Sequence, residues 1–196
     1  MSLATTYLAG LRSRLPGHDL EQLQLAHGAS AADVHRLLER YPLCPPGLLQ
    51  LLEQFDGTQY RDYPGGEVMV LVLGSDVFGY PYGLRSVEQI FEDARGYRES
   101  ITQIYDGYLD EMPDLIGPGI DGAVPMSDRL CFSHCMNNGG TSQLYIDFDP
   151  APGGTVGQVV RYLHDPDSYE VIAAGFDDYL QRLIDDDYAF IQEADE

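Results

Sequence analysis

Apolar positions recur at helical spacing through the first half of the chain and again near its end, with strand patterns between. Residues 3–14 set Leu3, Tyr7, Leu8 and Leu11 roughly on one side, and Pro16-Gly17 closes that segment. Ser30 can cap a second helix, with Asp33 in its first turn and Val34, Leu37, Leu38 and Tyr41 at i, i+3, i+4, i+7 before Pro42. A third helix opens at Pro45-Pro46, carries Leu48, Leu51, Leu52 and Phe55, and ends at Gly57. The short connection predicts that these two helices pack as a hairpin. Ser86 and Gln89 have the spacing of a capping box for one long helix with Val87, Ile90, Phe91, Ala94, Ile101, Ile104 or Tyr105, and Tyr108 along its buried stripe. The last helix sets Phe176, Tyr179, Leu180, Leu183, Ile184, Tyr188 and Ile191 against an acidic side of Asp177, Asp178, Asp185, Asp186 and Asp187.

Strand patterns occupy the rest. Glu67 to Gly74 is continuously apolar at its centre, as expected where both faces are covered. A loop containing Phe78, Tyr80 and Tyr82 follows, and Met112 to Gly122 reads as another, punctuated by Pro and Gly. Val124 to Met126 and Leu130 to Met136 read as strands, and Asn137-Asn138-Gly139-Gly140 as a turn. Leu144, Ile146 and Phe148 then alternate with Tyr145, Asp147 and Asp149. Pro150 to Gly154 reverses the chain, Val156 to Leu163 returns, and Tyr169 to Ala173 follows a turn at Asp165 to Ser168. Sequential strands with tight turns predict an α+β fold: a mainly antiparallel meander flanked by helices, with an N-terminal helical hairpin and an acidic C-terminal helix. Residues 1–196 are read as one domain, residues 1–19 being a possible helical appendage.

Charge narrows the choice of partner. Thirty-two acids face eleven bases, a net −21. A chain so anionic repels phosphate backbones and acidic membrane surfaces, so neither nucleic acid nor membrane is expected as a partner. A basic protein suits the field, although acidity also serves solubility alone. No apolar run is long enough to span a bilayer, and Met1 to Leu15 lacks the layout of a secretory signal. The three cysteines, Cys44, Cys131 and Cys135, read as reduced thiols of a cytoplasmic protein.

Catalytic and metal chemistry find little footing. Gly117 to Gly122 spells G-x-G-x-x-G, but the prolines at 113 and 125 deny it the strand–helix context of a dinucleotide site, so no cofactor is expected. On a regular strand Cys131 and Cys135 point to one face and His134 to the other, which predicts no metal centre. Asp147 and Asp149 share one strand face about 7 Å apart, a spacing open to acid–base work or a hard cation, yet no further ligand stands nearby. No nucleophile elbow accompanies the histidines. Fourteen tyrosines without a tryptophan are the more telling feature, since Tyr60, Tyr63, Tyr80, Tyr82, Tyr145 and Tyr162 fall in loops or on the strand face expected to be exposed. Tyrosine supplies contact area at low entropy cost, although half-buried sheet tyrosines are equally expected.

Tyr145 to Tyr162 (Y-I-D-F-D-P-A-P-G-G-T-V-G-Q-V-V-R-Y), then His164-Asp165 and Phe176-Asp177-Asp178-Tyr179-Leu180, resemble the C-terminal signature of the SUKH superfamily, in the group named after the yeast cell-wall assembly regulator. Gly28-Ala29-Ser30, Pro45-Pro46-Gly47-Leu48-Leu49 and Phe55-Asp56-Gly57 carry its N-terminal half, and the resemblance spans residues 20–185. Cys44 departs from the leucine usual before the two prolines. The resemblance implies a non-enzymatic protein-binding module, an immunity protein that sequesters a basic toxin such as a nuclease. A regulatory scaffold in cell-envelope assembly, and an enzyme using Asp147 and Asp149, are the alternatives. The expected rim for the partner is Tyr80, Tyr82, Asn137, Asn138, Tyr145, Asp147 and Asp149.

Overall fold

Seven strands and seven helices make up the regular structure of a computed structural model that describes residues 2–77, 79–137 and 139–191. Helices α1 (Leu3–Arg14), α2 (Gly17–Leu23), α3 (Ala31–Arg40) and α4 (Pro46–Leu52) come first. The small hairpin β1 (Arg61–Tyr63) and β2 (Gly66–Val68) follows, then the short strand β3 (Gly83–Leu84). Helices α5 (Val87–Gly96) and α6 (Ile101–Ile104) lead, through a long irregular stretch, to β4 (Leu130–Asn137). Strands β5 (Gly140–Asp147), β6 (Gln158–Leu163) and β7 (Ser168–Ala173) and helix α7 (Phe176–Asp185) complete the order. The fold is α+β, as the patterning predicts.

Strands β3-β4-β5-β6-β7 form one antiparallel meander in sequence order. Its two faces bury different material. Leu130, Phe132, Leu144, Ile146 and Val159 enter the main core with the inner sides of α1, α4 and α7. Phe132 meets Phe176 and Tyr179 of α7 edge-to-face, the arrangement that ring quadrupoles favour. Helix α1 is part of this core: Ala4, Tyr7, Leu8 and Leu11 are buried, and the Tyr7 hydroxyl donates to the Val72 carbonyl at 2.5 Å. Although α3 and α4 are neighbours in sequence, α4 packs on α1 and α7 while α3 leans on α5.

The opposite face is covered too, by the stretch from Ser100 to Met126. Ile101, Leu115, Ile120 and Met126 close over Cys131, Tyr145, Val160 and Tyr169 to make a second, smaller core. This cover is what the alternation in β5 does not reveal, because a polar-looking face reads as solvent-facing until something lies on it.

Three further elements depart from the patterning. The helix expected from Ser86 through Tyr108 is two helices: α5 ends at Gly96, and α6 restarts behind a second capping box of Ser100 and Gln103. Ile104 and Tyr108, expected on a buried stripe, are exposed as a result. Val124 to Met126 is not a strand: Pro125 makes one bridge to Ser100, and Met126–Asp128 forms a single 3-10 turn. Finally, Glu67 to Gly74 is regular only at its start, although Val68, Val70, Val72 and Leu73 are all buried as anticipated.

Candidate functional site

Register assembles the site. Strand pairing lines up His134, Gln143, Tyr162 and Tyr169 across β4, β5, β6 and β7, and beside them Cys131, Tyr145, Val160 and Val171. Both rows point to the second face. The helix break between α5 and α6 passes over them, leaving an open cleft of about 440 Å³. Gln143, Tyr145, Tyr162 and Tyr169 form its floor, and Tyr97, Arg98, Glu99, Ile104, Tyr105 and Met126 its walls.

The tyrosines are organised by one carboxylate. Tyr105 donates to Asp167 Oδ2 at 2.5 Å and Tyr162 donates to Oδ1 at 3.0 Å. Tyr162 lies against Tyr169 with centroids 4.8 Å apart, and Tyr105 meets Tyr169 edge-on at 6.4 Å. Burial pushes the Tyr105, Tyr162 and Tyr169 hydroxyls above their ordinary pKa, and for Tyr105 the bond to Asp167 adds to it, so the rings stay neutral. Burial works against ionised Asp167, but the hydrogen bonds from Tyr105 and Tyr162 outweigh it and hold its carboxyl below the ordinary value.

Beneath the floor a polar chain runs inward. Tyr145 donates to Gln143 Oε1 at 2.6 Å, Gln143 Nε2 lies 3.2 Å from His134 Nε2, and that nitrogen stands 3.0 Å from Asp93 Oδ2. Arg85 forks onto both Asp93 oxygens at 2.9 and 3.0 Å. Asp93, His134 and Cys131 bring ligand-type atoms within 4.8 Å of one another. The expectation that Cys131 and His134 face apart fails because a bulge between Cys131 and Ser133 shifts the register. The trio nevertheless suits a cation poorly. Arg85 already occupies both carboxylate oxygens, and burial raises the Cys131 thiol well above its ordinary pKa, away from the thiolate a metal needs.

The expected rim fares differently residue by residue. Tyr82 and Asp147 are at 0 % exposure, and Tyr145 and Asn137 are also buried. Tyr82 pairs with Leu73 inside the main core, and Tyr145 lies under the Ser100–Met126 cover. The Asn137 amide donates to His164 O at 2.9 Å and its oxygen accepts from Ser142, tying the β4–β5 hairpin to the end of β6. Asp147 faces Arg129 at 3.2 Å, accepts from Gln158 Nε2 at 3.0 Å, and has no face left for a substrate. Tyr80 is half-buried and Asp149 is exposed. Asn138, like Phe78 in the earlier loop, lies outside the described residues. The tyrosine cleft is a different surface from this rim. Of its residues only Tyr145 was on the expected rim, whereas Tyr97, Tyr105, Tyr162, Tyr169 and Asp167 were not.

Compared with known families, residues 28–182 match the SMI1 / KNR4 family (SUKH-1). No curated protein matches the chain.

Proposed function

The chain belongs to the SMI1 / KNR4 family (SUKH-1), and on that premise we propose that it is a protein-binding module that neutralises a basic toxin, as an immunity protein does. The observation that carries this reading is an aromatic cleft set in a strongly anionic chain. The eleven bases are all arginine. Arg14, Arg36, Arg40, Arg61, Arg85, Arg129 and Arg161 each stand within ion-pair distance of one of the chain's own carboxylates. Seven of the eleven positive charges are thus matched within the chain, and the surplus acids set the outward field that draws a cationic partner. Beside the cleft, Tyr97, Ile104 and Tyr108 are exposed, and exposed aromatics of this kind anchor interfaces.

Further features agree with this reading. Among the described residues no helix is long and apolar enough to cross a membrane. Cys44, Cys131 and Cys135 are unpaired and buried, which suits the reducing cytoplasm. An acid–base role for Asp147 and Asp149 loses support, because the first is enclosed with Arg129. Co-expression with the polypeptide encoded immediately upstream tests the proposal. The expected result is a complex that copurifies and relieves the partner's toxicity. Copurification of envelope-assembly factors, with no relief of toxicity, would favour the scaffold and contradict the immunity role.

A further inference from the structure

The cleft's chemistry is more specific than an aromatic surface. Its hydrogen-bonding edge is made by the Tyr105 and Tyr162 hydroxyls, both of which spend their protons on the same carboxylate, Asp167. A hydroxyl that donates its proton to an anion keeps its lone pairs for an incoming donor, and the anion strengthens it as an acceptor. Tyr97, Tyr105, Tyr162 and Tyr169 line the cleft, and an aromatic ring offers a cation the negative side of its quadrupole. Among the described residues the hydroxyls bind Asp167, with His164 Nδ1 3.4 Å from it, Arg98 and Glu99 line the mouth, and the Asp93–Arg85 pair lies beneath the floor. Arg98 donates its Nε–H to the Arg95 carbonyl at 3.1 Å. Acceptors, aromatic rings and a half-buried anion together describe a socket for a planar cation. An anion would meet Asp167.

We propose that the cleft seats one arginine side chain of the protein partner, its guanidinium stacked on the tyrosine rings and donating to the Tyr105 and Tyr162 oxygens. This deepens the basic-partner reading and rests on it. Guanidinium fits better than ammonium because it is flat, weakly hydrated and carries donors in a fork. The acidic face of α7 then serves encounter, while the socket sets residence time.

The test is a titration of the full chain, labelled with ¹³C in its tyrosine rings, with acetyl-Gly-Arg-Gly-amide followed by NMR. The citrulline and lysine versions of the same peptide run alongside. The arginine peptide should shift the ring signals of Tyr97, Tyr105 and Tyr162. Citrulline, which keeps the shape and loses the charge, should bind about fivefold more weakly or worse. Lysine should fall between them. Tyr97→Leu, at an exposed position, and Tyr162→Phe, which keeps the ring and removes the acceptor, should each weaken the arginine peptide selectively. Equal binding of citrulline, shifts confined to tyrosines outside the cleft, or no cleft shift at millimolar peptide would each overturn the socket. None of those results touches copurification with the upstream-encoded protein. A failed copurification beside a functioning socket would instead contradict the immunity role alone.

Discussion

Asp147 and Arg129 form an ion pair from which solvent is excluded, Nε standing 3.2 Å from Oδ1 with both side chains at 0 % exposure. Arg129 also donates to the carbonyls of Val124 at 3.0 Å and Asp121 at 2.7 Å. Gln158 donates to both Asp147 Oδ2 and the Gly119 carbonyl, at 3.0 and 2.8 Å. One buried cluster therefore fastens the end of β5 and the start of β6 to the covering stretch. That stretch roofs the second core and sets the walls of the cleft. The aspartate in Tyr-Ile-Asp-Phe-Asp is a structural rivet.

Breaking this pair should be costly. Arg129→Met leaves a carboxylate buried without its cation, and about 3–5 kcal/mol of stability should be lost, measured by urea unfolding. The double variant Arg129→Met with Asp147→Leu should be less damaged than the sum of the single variants, because no lone charge remains. Strict additivity would show that the two groups do not act as a pair.

Tyr97 should separate binding from folding. Its ring is 45 % exposed at the cleft mouth, so Tyr97→Leu should leave stability within about 0.5 kcal/mol of the parent. Affinity for the protein partner should fall by about 2 kcal/mol, a hot-spot loss. Thermal melts and calorimetry on the same preparation measure both.

Why the sheet was readable and the cleft was not follows from particular residues. Leu144 and Ile146 point to a core that any alternating strand implies, so the meander and its turns were legible. Tyr145 and Asp147 carry the same parity as Gln143, and parity alone places them on one face without saying whether that face is covered. The cover is an irregular stretch with little periodicity of its own. One signal was present. Ser100 and Gln103 repeat the spacing of Ser86 and Gln89, and reading both as capping boxes would have broken the long helix at Tyr97 and opened the cleft. The bulge that turns Cys131 toward His134 has no such signal, because Phe132 fits a regular strand equally well.

Acid should loosen the second face first. Asp93 and Asp167 both have carboxyl pKa values held below 3.8. In Asp93 the His134 and Arg85 contacts overcome burial; in Asp167 the tyrosine hydroxyls do. A folded pKa below the unfolded one means stability that is fully present above the unfolded value and lost as pH falls through the folded one. The melting temperature should therefore drop as pH is lowered below about 4. Asp167→Asn should flatten part of that decline. An unchanged slope would show that Asp167 is not linked to folding.

The thiols should be silent in the folded chain. Burial pushes Cys44 up to about 12 and Cys135 up to about 11, and Cys131 well above its ordinary value. A disulfide reagent at pH 8 should react with all three only after denaturant is added.

The most direct measurement is calorimetric titration of the full chain with the partner recovered by the co-expression test, at low and at physiological salt, comparing the parent with Tyr162→Phe. The complex should weaken as salt rises and weaken again when the Tyr162 hydroxyl is removed, if a cationic partner docks in the cleft. An affinity indifferent to both salt and that hydroxyl would contradict it.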